Sequence, residues 1–328
     1  MVRVRSRLRL VLVFAGLGLV AVSAAGAAPI GVLKQFRVPT ANTSPKNITQ
    51  GSDGNFWFTE GNVNPPMQNN QNVSRITAAG DITEFFVCVS CFPNDIVQGP
   101  NGILYFTKSD PGLGRITTSG QVLPDVAPAG FTTAIGNGVA ARGADIFFTD
   151  FNNNKIWRFN ATSGAFTQFP IPTAGADPFD VAVDGNGIVW FTEFHANRIG
   201  RLDPATGVIT ETVVAGDPRQ ITIATDGTVW FTERFANAVG HLDPATSQVT
   251  LFPLAAGAGP EGIAAAPDGS VWFTQSAAGN VARITAAGVI GEGRVVKGSE
   301  PSGVTVAPDG NPWYAELSAN KIAELQLK

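Results

Sequence analysis

The residues best suited to chemistry in this sequence stand at two corresponding places in seven repeats. Carboxylate and amide oxygens are the ligands that hard divalent cations prefer, and a carboxylate of raised pKa can act as a general base. The first set follows a short apolar run and comprises Glu60, Lys108, Asp150, Glu193, Glu233, Gln275 and Glu316. The second set follows a proline in six repeats and comprises Lys46, Asn94, Asn137, Phe179, Arg219, Glu261 and Ser302. These groups indicate a site for a divalent cation or for proton abstraction.

The acidic members of the first set have a second interpretation, because a carboxylate can cap a loop by accepting hydrogen bonds from backbone N–H groups. This interpretation is favoured for Glu60, Glu193 and Glu233, since residues repeated in every unit are more often architectural than catalytic. A site requires groups that differ from one repeat to the next. The residues that meet this condition are Arg219, Glu261, Glu300 and Ser302, with Asp180 just outside them.

Seven aromatic pairs set the period of the repeat. They occur in segments such as "FWFTE" and "VWFTE", and their first members are separated by 48, 42, 43, 40, 42 and 41 residues. Units of roughly 40–50 residues that are rich in β-strands are typical of propeller blades. The sequence therefore predicts an all-β fold, a seven-bladed β-propeller with four antiparallel strands in each blade.

The strand order within a blade places both polar sets on one face. Second strands end, and first strands begin, around the mouth of the central channel, whereas the aromatic pairs pack between neighbouring blades. The last repeat lacks a fourth strand, and the segment Val32–Thr40 resembles the outer strands of the other repeats. Pairing this segment with the last blade would close the ring and remove its unpaired edges.

The first 27 residues have the pattern of a signal peptide. Four arginines between positions 3 and 9 precede the apolar run Leu10–Val22, and Ala25-Gly26-Ala27 offers a cleavage site. An uncleaved membrane anchor is the alternative. We expect residues 28–328 to form one propeller domain. After cleavage, we expect this domain to be secreted or periplasmic, to be a monomer and to have no contact with the membrane.

Net charge narrows the range of partners. Without the four N-terminal arginines, 18 basic and 26 acidic side chains remain, a formal charge of about −8. An acidic chain without a basic cluster is poorly suited to binding phosphate backbones, which argues against nucleic acid as a partner. We expect a small-molecule or peptide ligand at the channel mouth.

Cys88 and Cys91 are the only cysteines in the chain. An exported protein lies in an oxidising compartment, which favours a local disulfide between them. Half of a zinc site and a redox pair are the alternatives. Zinc needs four ligands, and a redox motif belongs at the start of a helix.

Two repeats carry a specific resemblance. The segments "ANRIGRLDPATGVITE" and "ANAVGHLDPATSQVT", each after "WFTE", and the entry "P-x-x-[IV]" of the blades resemble the streptogramin B lyases, also called virginiamycin B lyases. The resemblance covers nearly all of the chain after the signal peptide. It implies a magnesium-dependent lyase that opens a cyclic depsipeptide antibiotic by elimination at its ester bond, which is an antibiotic-resistance activity.

The same resemblance assigns roles to residues around the last two blades. It places the catalytic histidine of the family at Ser302 and a second histidine at Glu261, and it places two metal-associated glutamates at Glu300 and Glu316. Elimination needs a base that removes a proton next to a carbonyl and a cation that holds the enolate. Because the acids persist and the histidines are replaced, we expect lyase activity to be altered or absent.

Three functions remain open from the sequence. A lyase for another cyclic ester or sugar would use Glu261 as base and magnesium at Glu300 and Glu316. A binding propeller would hold a ligand, peptide or glycan at the same mouth without any base. A calcium-dependent hydrolase of the lactonase type would surround its cation with Asn94, Asn137, Asp180 and Glu300.

Overall fold

The computed structural model describes residues 17–19, 30–61, 70–132, 136–293 and 296–327. Over these ranges the chain forms seven four-stranded antiparallel blades in a ring, which confirms the predicted seven-bladed β-propeller. The one helix in the described part is a single 3-10 turn, Pro100–Gly102. Within the same ranges, no helix combines the length and the apolar character that a bilayer crossing needs.

Two strands precede the first complete blade, β1 (Leu17–Leu19) and β2 (Val32–Arg37). The predicted signal peptide lies outside the described residues except for β1, so its cleavage stays a prediction. β1 runs parallel to the outer strand of blade five, with Leu17 opposite Val249, and adds a fifth strand to that sheet.

Blades one to three are each built from four consecutive strands. Blade one contains β3 (Pro45–Gln50), β4 (Phe56–Glu60), β5 (Asn70–Ile76) and β6 (Ile82–Val89). Blade two contains β7 (Ile96–Gln98), β8 (Ile103–Phe106), β9 (Leu113–Thr117) and β10 (Val122–Val126). Blade three contains β11 (Val139–Arg142), β12 (Asp145–Asp150), β13 (Lys155–Asn160) and β14 (Phe166–Pro170).

Blades four to six follow the same order. Blade four contains β15 (Pro178–Val183), β16 (Val189–Glu193), β17 (Arg198–Asp203) and β18 (Val208–Val213). Blade five contains β19 (Pro218–Ile223), β20 (Val229–Glu233), β21 (Ala238–Asp243) and β22 (Gln248–Pro253). Blade six contains β23 (Pro260–Ala265), β24 (Val271–Gln275), β25 (Asn280–Ile284) and β26 (Ile290–Glu292).

Blade seven closes the ring as the sequence predicts. Its inner strands are β27 (Pro301–Val306), β28 (Pro312–Glu316) and β29 (Lys321–Gln326), and β2 supplies the outer strand. The pairing of β2 with β29 is antiparallel, with Val32 opposite Gln326 and Arg37 opposite Lys321. The two ends of the described propeller are therefore joined by backbone hydrogen bonds, which removes an open edge.

The second strand of nearly every blade is buried on both of its faces, because it lies between neighbouring blades. Its aromatic residues fill the space between blades: Trp313 of blade seven stacks on Phe56 of blade one, with ring centroids 4.5 Å apart. Outer strands alternate exposed and half-buried residues, as β18 does. The predicted packing role of the aromatic pairs is therefore observed.

A disulfide links Cys88 at the end of β6 to Cys91, with Cα atoms 5.9 Å apart. The residues that follow lead directly into the first strand of blade two. Ser109 donates its backbone N–H to the carbonyl of Cys91 at 2.6 Å. This bond attaches the loop that contains Cys91 to the segment that follows β8, the second strand of blade two. The disulfide therefore holds a connection on the face that carries the channel mouth.

Candidate functional site

Both predicted sets lie at the same end of the blades. The proline that begins a first strand pairs with the residue that ends the second strand, as Pro178 does with Glu193 and Pro301 with Glu316. Around the axis, every member of the second set except Arg219 lines one pocket. Its lining comprises Lys46, Asn47, Asn94, Asp95, Asn137, Phe179, Asp180, Gln220, Glu261 and Ser302.

The pocket is shallow, because side chains fill the axis beneath it. Its volume is about 20 Å³, which is room for roughly one water molecule. The floor is the axial ring, which we define as the residue that follows the second set in each blade. The axial ring consists of Asn47, Asp95, Gly138, Asp180, Gln220, Gly262 and Gly303.

Side chains of the axial ring bond several first strands to the next. Asp95 accepts the backbone N–H of Val139 at 2.9 Å, and Asp180 accepts that of Ile221 at 3.0 Å. Gln220 donates to Asn47 at 3.0 Å, which connects blade five to blade one across the axis. The central channel is therefore closed by a polar network, and a ligand is confined to the mouth above it.

Glycines in the axial ring make room for this network. A Cβ atom at Gly303 would overlap Asn47, and one at Gly138 would overlap Asp180. Three glycines among four longer polar side chains thus allow close packing at the axis. This role was not predicted from the sequence, although a polar residue or a glycine stands at one fixed position in each repeat.

Burial shapes the ionisation of the two aspartates in the axial ring. It raises the pKa of Asp95 to about 7, against the backbone hydrogen bonds from Val139 and Ile96. It raises the pKa of Asp180 well above the ordinary value, and the nearby charge of Asp95 adds to the effect. The pair therefore carries less than its full negative charge near neutral pH.

Arg219 and Glu261 form the most elaborate cluster at the mouth. Glu261 binds Arg219 at 3.3 Å and Arg234 at 2.6 Å through the same oxygen, Oε2. The guanidinium of Arg219 also lies 4.6 Å from the ring centroid of Phe179 and 5.7 Å from that of Phe194, within the range of cation–π contacts. Two positive charges thus meet one carboxylate against an aromatic wall.

Lys46 differs from the other basic residues of the mouth in its ion pairing. It forms no ion pair in the described part of the chain, whereas every other basic residue of the mouth has one. Burial lowers its pKa, and the negative charge of Glu261 partly opposes that effect. The position of Lys46 on the rim was predicted from the sequence, whereas its lack of an ion pair was not.

The family model of the virginiamycin B lyases matches residues 26–144 and 128–328. This chain belongs to the virginiamycin B lyase family. A structure described as streptogramin B lyase shares 26% sequence identity, with a TM-score of 0.81 over 91% of this chain and 98% of the other. A search of curated protein sequences finds no significant match.

Two further family structures come from Staphylococcus aureus. Selenomethionine-substituted virginiamycin B lyase is 27% identical, with a TM-score of 0.80 over 90% of this chain and 99% of that one. A catalytically inactive histidine-to-alanine variant with quinupristin is 28% identical, with the same TM-score and coverage. Hydrazine synthase from Kuenenia stuttgartiensis, at 16% identity, shares the fold alone.

At the two positions that the resemblance gives to the histidines of the family, the side chains are bonded within the protein. The Ser302 hydroxyl donates to the backbone carbonyl of Lys46 at 2.6 Å, and Ser302 is 7% exposed. Glu261 is held by its two arginines. The Ser302 hydroxyl is therefore engaged by the backbone, and the Oε2 atom of Glu261 is engaged by two guanidinium groups.

The two glutamates predicted to bind magnesium do not line the mouth pocket. Glu300 accepts a hydrogen bond from Ser318, and Glu316 accepts one from Gln35 of β2 at 2.6 Å. In the described ranges, no three His, Cys, Asp or Glu residues are grouped as a metal site would require. As they stand, these donors do not fit a shared magnesium ion, and the magnesium site stays a prediction.

Of the four residues proposed to surround a calcium ion, only three lie together. Asn94, Asn137 and Asp180 line the mouth pocket, but Glu300 does not. Asn94 donates to the Oδ1 atom of Asn137, and the oxygens of Asp180 accept backbone N–H groups. A cation would have to replace those hydrogen bonds, so calcium also stays a prediction.

The carboxylates that end the second strands are buried rather than presented to the mouth. Glu233 accepts the backbone N–H of Gly216 at 3.1 Å, which is the capping role expected from the sequence. Glu60 accepts the hydroxyl of Ser74. Burial raises the pKa of Glu60 to about 7 and, with the neighbouring Glu211 carboxylate as second cause, that of Glu193 to about 8.

Proposed function

We propose that this protein is a ligand-binding propeller of the virginiamycin B lyase family that does not perform the elimination of the lyases. The observation that carries this proposal is the internal bonding of Ser302 and Glu261, the residues at the histidine positions. A general base needs a free lone pair within reach of the proton that it removes. Among the described residues, the acceptors of the Ser302 hydroxyl are the backbone carbonyls of Pro45 and Lys46, which cannot take its proton as a base would.

The mouth keeps the features of a binding site. Phe179 and Phe194 offer apolar surface, with ring centroids 5.8 Å apart, and Arg219 lies against both. Asn94, Asn137 and Lys46 supply polar groups on the other side of the pocket. Apolar walls with a few convergent polar groups are the usual composition of a ligand site.

The N-terminal pattern supports an extracytoplasmic location. The basic segment, the apolar run and the small residues before Ala28 have the order of an export signal. We infer that the propeller acts outside the cytoplasm as a monomer. N-terminal sequencing of the protein recovered from the medium or periplasm should begin near Ala28.

An assay with a cyclic depsipeptide tests the proposed function. We expect quinupristin to remain unchanged with the wild-type protein, as followed by chromatography and mass spectrometry. Elimination gives a ring-opened product of unchanged mass, whereas hydrolysis adds the mass of one water. Either product, formed in proportion to the wild-type protein, would refute a purely binding role.

Two variants sharpen this assay. Glu261→His with Ser302→His restores imidazoles at both positions, and ring opening by this variant alone would attribute the loss of activity to these residues. Glu261→Ala with Ser302→Ala is the matched control, because it removes the same internal bonds without adding a base. Thermal melting confirms that each variant is folded.

A further inference from the structure

A cleft of about 250 Å³ adjoins the mouth pocket on the side of blades one to three. Lys46, Asn94 and Asn137 line both spaces, so the cleft is an outward extension of the mouth. Phe92, Phe151 and Lys108 also line the cleft. Its volume suits a small organic molecule, whereas the pocket over the axis holds about one water.

The two lysines of this cleft differ in their charge balance. Lys108 is buried and binds Asp125 at 2.9 Å, so its charge is compensated within the protein. Lys46 forms no ion pair in the described part of the chain, and the negative charges of Glu261 and Asp95 act on it only from beyond ion-pair distance. An ammonium group in such a place gains most from an anion supplied by a ligand.

The side chains beside Lys46 add directional hydrogen bonding. Asn94 and Asn137 are bonded to each other through the Nδ2 atom of Asn94 and the Oδ1 atom of Asn137. Because the Asn137 amide accepts this bond, its own NH₂ group is oriented away from Asn94. The ammonium group of Lys46 and the amide NH₂ group of Asn137 can together bind a carboxylate, which is planar and carries one negative charge. A phosphate dianion suits them less well, because one of its two charges would remain uncompensated.

The segment that carries Phe92 has a strained backbone. Phe92 has a φ of +43° and Ser90 a φ of +56°, a region that bulky residues rarely adopt. The Cys88–Cys91 disulfide and the hydrogen bond from Ser109 to Cys91 hold this segment in place. Strain of this kind is concentrated at ligand sites, where the surrounding structure fixes it.

We propose that this cleft binds a small carboxylate that carries an aromatic ring, with the carboxylate at Lys46 and the ring against Phe92 and Phe151. The inference rests on the binding function proposed above and specifies the chemical class of the ligand. It assigns to Lys46 the recognition of the anion and to the disulfide-held Phe92 the recognition of the ring.

Three matched probes separate the two parts of the recognition. Phenylacetate carries the charge and the ring, phenylacetamide lacks the charge, and cyclohexylacetate lacks the aromatic ring. In calorimetry with the wild-type protein, we expect phenylacetate to bind at least tenfold more tightly than either of the others. Equal binding of phenylacetate and phenylacetamide would overturn the role of charge, and tighter binding of inorganic phosphate would overturn the carboxylate.

Variants locate the binding site. Lys46→Met keeps the aliphatic stem and should weaken phenylacetate binding by about tenfold or more, whereas Lys46→Arg should retain most of it. Lys34→Met is the matched control, because Lys34 lies on the outer strand β2 and pairs with Glu324. An unchanged affinity in a folded Lys46→Met protein would overturn the assignment.

The outcomes also separate this inference from the proposed function. If the wild-type protein binds quinupristin but none of the aromatic carboxylates, the ligand class is wrong and the binding function stands. If the wild-type protein opens quinupristin, the binding function is wrong, whatever phenylacetate does.

Discussion

Thr173 donates both its backbone N–H and its hydroxyl to Glu211, at 3.1 and 2.8 Å. Thr40 makes the same pair of bonds to Glu84, at 2.9 and 2.8 Å. In each case the accepting glutamate acts electrostatically on the buried glutamate that ends the second strand of its blade, Glu193 or Glu60. Blades one and four thus share an arrangement in which a carboxylate bonded to a threonine, Glu84 or Glu211, lies near a buried carboxylate, Glu60 or Glu193.

These buried acids predict a protein that is more stable in acid than in base. Burial raises the pKa values of Glu60 and Asp95 to about 7, and burial together with Glu211 raises that of Glu193 to about 8. Because the folded state then holds protons that the unfolded state releases, this stability is complete below about pH 4.5 and is lost as the pH rises to about 8. His241, whose pKa burial lowers, opposes the trend below about pH 6.5.

Melting temperatures measured between pH 5 and pH 9 check this prediction. We expect the midpoint to fall by several degrees from pH 6 to pH 9. A midpoint that rises over that interval would show that the buried carboxylates are ionised in the folded protein at little cost.

Glu193→Gln isolates one of these groups. Glutamine has nearly the shape of a protonated glutamate and can donate to Glu211, but it cannot ionise. We expect this variant to melt higher than wild type at pH 9 and at nearly the same temperature at pH 5. Glu292→Gln, at an exposed position on β26, is the matched control and should follow the wild-type profile. An identical shift in both variants would point to net charge instead.

The outlines of the propeller were predictable because its signals are local and repeated. The "VWFTE" runs and Asp-Gly turns recur at nearly constant intervals, and the hairpins place Gly227 and Gly310 at positive φ, as the turns require. The match of Val32–Thr40 to other outer strands gave the closure. Each of these features depends on residues close together in the sequence.

For the candidate site, the sequence predicted where the residues lie but not what they contact. The sequence placed Lys46, Asn94, Asn137, Phe179, Asp180, Glu261 and Ser302 around one mouth, and all seven line the same pocket. It did not give their partners, because Arg234 reaches Glu261 from another blade and the Ser302 hydroxyl bonds to blade one. Such contacts depend on distances between strands that are far apart in the chain.

Ring closure by β2 predicts a stability effect at Phe36. This ring stacks on Trp313 at 5.6 Å, nearly parallel to it, and packs against the core between blades seven and one. We expect Phe36→Ala to lower the free energy of unfolding by about 2 kcal/mol, less than for a fully buried phenylalanine. Val32→Ala on the same strand should cost about 0.5 kcal/mol or less, because Val32 is 52% exposed. Denaturant titration measures both, and equal effects would argue against this closure.

The hydrogen bonds of Glu300 and Glu316 predict weak magnesium binding. One oxygen of each carboxylate is taken, Glu300 by Ser318 and Glu316 by Gln35, and no third His, Cys, Asp or Glu of the described residues is grouped with them. We therefore expect calorimetry with magnesium chloride to show no specific heat of binding. A saturable signal that Glu316→Gln abolishes would establish the metal site that the family resemblance implies.

The disulfide predicts a link between redox state and ligand binding. Cys88 and Cys91 hold the segment that carries Phe92 in its strained conformation, and few other bonds of the described residues do so. Reduction should let Phe92 relax and should weaken phenylacetate binding several-fold, while the melting temperature changes little because the loop is short. Cys88→Ser with Cys91→Ser should reproduce the reduced state and become insensitive to dithiothreitol. Full affinity in that double variant would show that the fold, rather than the disulfide, positions Phe92.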